Sequence, residues 1–118
     1  MAAPHDAPTA AELVEAVREW IERDLMTSAD PRTKFQARVA VNALAIVERE
    51  FELGEAQAGA HAGRLEQLGV ADDTELAAGI RARRFDDRAD ELRALLLESV
   101  IDKLAVANPK YAYPKYPA

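Results

Sequence analysis

The sequence predicts an all-α protein, a compact bundle of four to five helices with short connections. Apolar residues recur at intervals of three and four along most of the chain, as they do on one face of a helix. Prolines, glycines and capping residues divide this pattern into segments, and no segment alternates with the period of two that is typical of a strand. A chain of 118 residues supports one domain and is too short for two comfortable cores.

The first predicted helix follows an N-terminal arm, residues 1–8, that we expect to be mobile. Thr9 and Glu12 have the spacing of a capping box, in which each side chain binds the backbone N–H of the other residue. The helix is therefore predicted from Thr9 to about Met26. Its apolar residues fall on one side, which predicts that Trp20 lies in the core; they are Leu13, Val14, Val17, Trp20, Ile21 and Leu25.

The second predicted helix starts at Asp30 and Pro31, an N-cap residue followed by a proline in the first turn. We expect it to end at Gly54, a natural C-terminal cap, and to be the most enclosed helix. A third helix follows as "EAQAGAHAGRLEQLG", which ends at Gly69 and is weakened by its interior glycines.

Two more helices complete the predicted domain. The fourth begins at Asp72, with Glu75 placed to complete a capping box. The fifth runs from about Arg88 to Ala107 and is apolar almost all round, so we expect it to be mostly buried. A single helical domain over residues 9–108 is thus predicted, followed by an extended tail rich in proline and tyrosine at residues 109–118.

Charge and composition exclude several classes of function. The net charge of −6 makes the chain a poor candidate for binding nucleic acid or an anionic membrane surface, since both interactions need a concentrated basic face. No run approaches the roughly 20 apolar residues of a membrane span, and the N-terminus lacks the pattern of a secretion signal. The absence of cysteine excludes thiolate chemistry and fits a reducing compartment, so we expect a cytoplasmic protein.

The layout of three stretches resembles a bacterial family of unknown function: "PTAAELVEAVREWIE", "FQARVAVNALAIVERE" and "VIDKLAVANPKY". The resemblance extends from about Pro8 to Tyr111. Members of that family are short helical proteins whose genes often lie beside acyl-CoA dehydrogenases and aminoglycoside-phosphotransferase-like kinases. The resemblance therefore implies accessory work in acyl-CoA or small-molecule catabolism, and it supplies no catalytic residues.

Motifs for catalysis or metal binding are not evident in the sequence. The two histidines, His5 and His61, are far apart, and no Glu-x-x-His pair of the kind used by di-iron bundles occurs. Neither Ser28 nor Ser99 sits in a Gly-x-Ser-x-Gly elbow, and no glycine-rich phosphate loop is found. We therefore expect no metal, no cofactor and no catalytic residue, which favours a non-enzyme without deciding between the two classes.

Four arginines form the densest cationic stretch, "RARRFDDR", and raise the question of an anion site. Arg81, Arg83, Arg84 and Arg88 suit the phosphate of a nucleotide or of CoA, because guanidinium groups bind phosphate through two hydrogen bonds. The alternative is structural: arginines complement the dipole at the end of the fourth helix, and the two aspartates that follow neutralise them.

Polar residues on or beside the apolar faces form the second candidate site. Asn42 lies within the stripe of the second helix and Arg38 at its margin, while Asp24 and Lys103 lie in the stripes of the first and fifth helices. Because an unpaired buried charge is very costly, these groups should pair if they are buried. They predict either a buried network that fixes helix register or the lining of a pocket for an acidic or acyl ligand.

These observations favour an accessory protein that acts through protein–protein interaction. The expected partner is an enzyme encoded nearby, a phosphotransferase-like kinase or an acyl-CoA dehydrogenase, as the resemblance implies. The chain itself is expected to be a monomer or a weak homodimer. The alternative is a small-molecule binding protein or minor enzyme that uses the polar groups between helices.

Overall fold

A computed structural model describes residues 4–28 and 30–111 of the chain. These residues form helices and turns without any strand, which confirms the all-α prediction. Three of their helices exceed ten residues, where the sequence predicts four to five helices, and one shorter helix has nine residues. They are α1 (Ala10–Trp20), α2 (Pro31–Leu68), α3 (Asp73–Arg81) and α4 (Ala89–Ala107).

The separation of a second from a third helix at Gly54 is wrong, because α2 continues through this residue for 38 residues in all. A glycine ends a helix when it adopts a left-handed conformation, and Gly69 is the glycine with positive φ in the described chain. The alanines around Gly59 are the strongest helix formers, and they offset the cost of about 1 kcal/mol for each interior glycine.

The chain divides into two compact units, Met1–Leu53 and Gly54–Ala118. The first unit contains α1, a π-helical turn at Ile21–Leu25 that extends it, and the first part of α2. The predicted capping box is confirmed: the Thr9 N–H donates to Glu12 Oε1 over 2.9 Å, and the Glu12 N–H donates to Thr9 Oγ1 over 3.1 Å. The hydrogen bond from the Thr9 backbone lowers the pKa of the Glu12 carboxyl.

The first unit buries few side chains, because two helices can cover only one face of each other. Ile21 and Ala37 are its buried apolar residues, and both come from the surface where α1 meets α2. Arg18 reinforces this surface: its Nε donates to Glu48 Oε2 over 2.5 Å, and a second nitrogen lies 2.6 Å from Glu22. These two carboxylates, Glu48 first, raise the pKa of Arg18.

The second unit has a small hydrophobic core that begins where α2 ends. The Val70 N–H donates to the Leu65 carbonyl and the Gly69 N–H to the Glu66 carbonyl, the two bonds of a Schellman motif. The predicted end of a helix at Gly69, with φ of 72°, is thereby confirmed. The motif folds Val70 back onto α2 and starts a buried cluster whose members are Leu65, Leu68, Val70, Leu76 and Phe85, with Leu92 and Leu95 packed against it.

Helix α3 is fixed at both of its ends. Asp72 caps the N-terminus by accepting a 2.8 Å hydrogen bond from the Glu75 N–H. After the helix, the chain returns Phe85 to the core, where its ring lies against Gly79. A Cβ atom on Gly79 would lie 2.9 Å from Phe85 Cε2, so this glycine is required for close packing.

Alanine substitutions at two glycines should therefore have opposite effects on stability. Gly79→Ala should lower the free energy of unfolding by about 1–3 kcal/mol, because the buried Phe85 ring must shift. Gly59→Ala is the matched control, since nothing lies within 4 Å of its added methyl group, and it should raise stability by up to about 1 kcal/mol. Urea titrations of both variants measure the difference. An increase in stability for Gly79→Ala would contradict the packing of Phe85 described here.

Candidate functional site

A stripe of exposed apolar side chains runs along α1, and we define it as the α1 stripe: Leu13, Val17 and Trp20. Their spacing of four and three residues places them on one side of the helix. Half-buried Val14 and buried Ile21 lie about 100° around the helix and form the side that packs on α2. The prediction that Trp20 lies in the core is wrong, because its side chain is 47% exposed. The first helix has more apolar surface than α2 covers.

Acidic residues surround the α1 stripe. Between residues 10 and 25 the chain carries five carboxylates and two guanidiniums, a net charge of −3. Arg18 is held by Glu22 and Glu48, so its charge is compensated within the chain. The α1 stripe is therefore an apolar strip with a negative rim.

A second exposed stripe, apolar except for Asn42, lies on α2, and we define it as the α2 stripe: Phe35, Val39, Asn42 and Ile46. Phe35 is 60% exposed and Val39 48% exposed. The stripe points about 180° away from Ala37, whose side chain is buried in the first unit, because successive residues are turned by about 100° in a helix. The first part of α2 therefore has apolar residues on two opposite faces, and α1 contacts one of them.

The predicted buried network of Asp24, Arg38, Asn42 and Lys103 is wrong with respect to burial, since all four residues are exposed. Asp24 accepts a 3.3 Å hydrogen bond from the neighbouring Arg23. Asn42 is exposed because α2 has apolar residues on two opposite faces, and Asn42 lies on the face that does not contact α1. A ligand-binding role for the four residues stays a prediction.

The first unit has a surface groove of about 470 Å³ at the end of the α1–α2 contact. The groove has an apolar floor and three polar side chains. None of its lining residues is among the four polar residues of the predicted network. The lining residues are Ile21, Leu25, Arg32, Thr33, Gln36, Ala37 and Ala40.

The four arginines of "RARRFDDR" are exposed or half-buried, and carboxylates hold two of them. Arg83 Nε lies 2.7 Å from Asp86, and Arg88 forms two hydrogen bonds with Glu91, of 2.8 and 3.0 Å. Glu91 raises the pKa of Arg88, and Arg88 lowers the pKa of Glu91. Arg84 lies over the Phe85 ring and Arg81 ends α3. These contacts support the structural interpretation for Arg83 and Arg88, whereas anion binding stays a prediction.

A polar cluster in the second unit is not among the sites that the sequence predicts. Arg64 is 9% exposed and donates to Asp102 over 2.5 Å, and the Gln57 side chain donates to the Asp102 carbonyl over 2.9 Å. A signal exists in the spacing, because Gln57 and Arg64 are two turns apart on α2. This spacing is present within the predicted third helix as well, but it does not indicate that Asp102 lies opposite the two side chains.

His61 connects three helices of the second unit. Its Nε2 lies 2.9 Å from Asp73 Oδ1, and its Nδ1 lies 3.3 Å from Ser99 Oγ. With Nε2–H donating to Asp73, Nδ1 accepts from the Ser99 hydroxyl, so the three residue types are those of a serine–histidine–carboxylate triad with the two ring nitrogens exchanged. Ser99 lies in the middle of α4, however, where backbone N–H groups are used within the helix. The oxyanion donors that acyl transfer requires are thus not available at Ser99, and the contacts serve to hold the helices together.

Comparisons with known proteins identify a family without a known activity. The family described as a domain of unknown function, DUF6285, matches residues 27–111, and the chain belongs to it. No curated protein and no solved structure matches the chain. Within the described residues, no helix is long and apolar enough to cross a membrane, and no group of three potential metal ligands occurs.

The Arg64–Asp102 pair should make a measurable contribution to stability. Asp102→Asn should cost about 2 kcal/mol, because it leaves the buried guanidinium of Arg64 without a countercharge. Arg64→Met in the same chain should recover part of that loss, with a coupling energy of about 1–2 kcal/mol in a double-mutant cycle. Arg93→Met, which removes an exposed ion pair with Asp90, is the control and should change stability by less than about 0.5 kcal/mol. Strictly additive effects of the two substitutions at Arg64 and Asp102 would refute this coupling.

Proposed function

We propose that this member of the DUF6285 family is an accessory protein that binds another protein through the α1 stripe. The observation that carries the proposal is the exposure of Leu13, Val17 and Trp20 along one side of α1. Apolar anchors spaced by four and three residues are the pattern by which an amphipathic helix enters a groove of its partner. Large aromatic residues such as Trp20 supply a major part of the binding energy in such contacts.

The acidic rim defines the chemistry of the partner. A net charge of −3 around the α1 stripe favours a partner whose apolar groove is bordered by lysine and arginine. An enzyme encoded nearby, a phosphotransferase-like kinase or an acyl-CoA dehydrogenase, is the partner that the family resemblance suggests. A cytoplasmic location is part of this proposal, and the sequence without cysteine supports it.

A second candidate function is the binding of an anionic or acyl ligand, and the groove beside Ile21 and Leu25 favours it. Its volume of about 470 Å³ is within the range of small-molecule sites. Arg32 supplies a cation at the edge of the apolar floor, the combination that a fatty acid requires. Under this alternative, a medium-chain fatty acid should raise the melting temperature of the wild type but not of Arg32→Met. Equal shifts in both proteins would exclude the groove as the site.

Substitutions in the α1 stripe should abolish partner binding without unfolding the protein. Val17→Glu places a charge in the apolar strip, and Trp20→Ala removes its largest anchor. The purified complex should weaken by about 30-fold or more for Trp20→Ala, equivalent to about 2 kcal/mol or more. Affinity should also fall as salt is added, because the acidic rim contributes through its charge.

The experiment has two stages with a matched control. Wild type, Val17→Glu and Val100→Glu are used to capture proteins from native lysate, and captured proteins are identified by mass spectrometry. Val100 is a suitable control because it is 43% exposed, close to the 49% of Val17, and lies on α4. Each candidate is then purified and its affinity for the three proteins is measured. A partner that binds Val17→Glu as tightly as the wild type would overturn the proposal.

A further inference from the structure

The α2 stripe has the spacing of a coiled-coil seam. Phe35, Val39, Asn42 and Ile46 are separated by four, three and four residues, and the pattern continues through Arg49 to Leu53. Such alternation places about one residue per turn against a partner helix. Phe35, Val39, Asn42 and Ile46 are exposed and lie opposite the α1 contact, so pairing through them leaves the first unit unchanged, while Arg49 and Leu53 at the end of the pattern are half-buried.

Charge along the seam is distributed unequally between its two ends. The first part of the stripe is bordered by Arg32 and Arg38, with no acidic residue between residues 31 and 38. Residues 46–53 carry three glutamates and Arg49, a net charge of −2. A second helix of the same sequence therefore complements this one when the two run antiparallel, and it is repelled at both ends when they run parallel.

We propose that the α2 stripe is the contact between two copies of this chain, paired antiparallel about a twofold axis near residue 44. This axis sets Phe35 opposite Leu53 of the second copy and Asn42 opposite Ile46, so each of these layers contains an apolar side chain. Arg38 and Glu52 border the seam on the same side, two heptads apart. Each Arg38 then lies beside Glu52 of the second copy, and the twofold symmetry forms this pair twice.

Small residues at the centre permit close approach of the two helices. Ala43 and Ala45 flank the seam beside the twofold axis, where larger side chains would separate the backbones. The paired region from Phe35 to Leu53 is about 27 Å long, from the helical rise of about 1.5 Å per residue. A single helix pair of this length buries less than a standard interface, so the dimer is weak and concentration-dependent.

Charge reversal tests both the contact and its direction. In a dimer of Arg38→Glu, the new carboxylate at position 38 of each copy lies beside Glu52 of the other copy. In a dimer of Glu52→Arg, the new guanidinium at position 52 of each copy lies beside Arg38 of the other copy. Each variant should dimerise about tenfold or more weakly than the wild type, since two attractive pairs become repulsive. An equimolar mixture should form a heterodimer, because each pair across the seam then joins one carboxylate to one guanidinium.

The antiparallel seam makes a different prediction for a single chain that carries both reversals. In Arg38→Glu combined with Glu52→Arg, the carboxylate introduced at position 38 of each copy lies beside the guanidinium introduced at position 52 of the other. The double variant should therefore dimerise about as tightly as the wild type, because both attractive pairs are restored with exchanged signs. Lys34→Glu, with the same charge change outside the seam, is the control and should dimerise as the wild type does.

Sedimentation equilibrium and native mass spectrometry of the full chain measure these populations, and circular dichroism verifies that each variant is folded. A wild type that stays monomeric at about 100 µM overturns the proposal, since even a weak interface associates at that concentration. Dimers that are insensitive to both reversals, or a double variant that stays as weak as the single ones, overturn it as well. The test is independent of the α1 stripe, because Val17→Glu leaves the seam intact.

Discussion

The structure of the first unit depends on a mismatch between the apolar faces of α2 and the helices available to cover them. Ala37 and half-buried Leu44 face α1, whereas Phe35 and Val39 point the opposite way. A helix with apolar residues on two opposite sides requires two neighbours to bury them. Within Met1–Leu53 the described residues supply one neighbour, and its own outer side is apolar as well. These apolar side chains are therefore exposed because the described residues of the first unit supply one neighbouring helix where two are needed. Their spacing along the helix is regular.

The two units differ in how they achieve stability. The second unit closes a core around Leu68 and Phe85 and adds the Arg64–Asp102 pair. The first unit relies on a shallow contact reinforced by Arg18. Burying a large apolar side chain completely contributes about 1.5–3 kcal/mol, so covering Phe35 and Trp20 would stabilise the first unit considerably. Any binding event that covers these side chains would therefore also stabilise the fold of the first unit.

Local signals in the sequence are sufficient to predict the helices and several of their ends. The Thr9–Glu12 box, the Asp72 cap and the glycine stop at Gly69 depend on interactions within four residues, and the structure confirms them. The end predicted at Gly54 is wrong because the sequence alone does not show whether a glycine is left-handed.

Interactions between distant residues are the part that the sequence does not predict. The exposure of Trp20 belongs to this part, because periodicity identifies an apolar face but not what covers it. The Arg64–Asp102 pair joins residues 38 apart, a separation at which sequence spacing carries no information. The predicted burial of Asp24, Arg38, Asn42 and Lys103 is wrong for the same reason, because periodicity does not show which apolar face is covered.

The most direct test of the two-faced character of α2 is a distance between two copies of the chain. The sequence has no cysteine, so Val47→Cys and Lys34→Cys, both exposed and outside the seam, each provide a single site for a spin label. An antiparallel seam centred near residue 44 predicts labels at position 47 separated by about 9 Å along the helix axis, and labels at position 34 separated by about 30 Å. Pulsed dipolar spectroscopy should therefore give a much shorter distance for position 47. Equal distances at the two positions, or no dipolar coupling between chains, would contradict the pairing of the α2 stripe with a second copy.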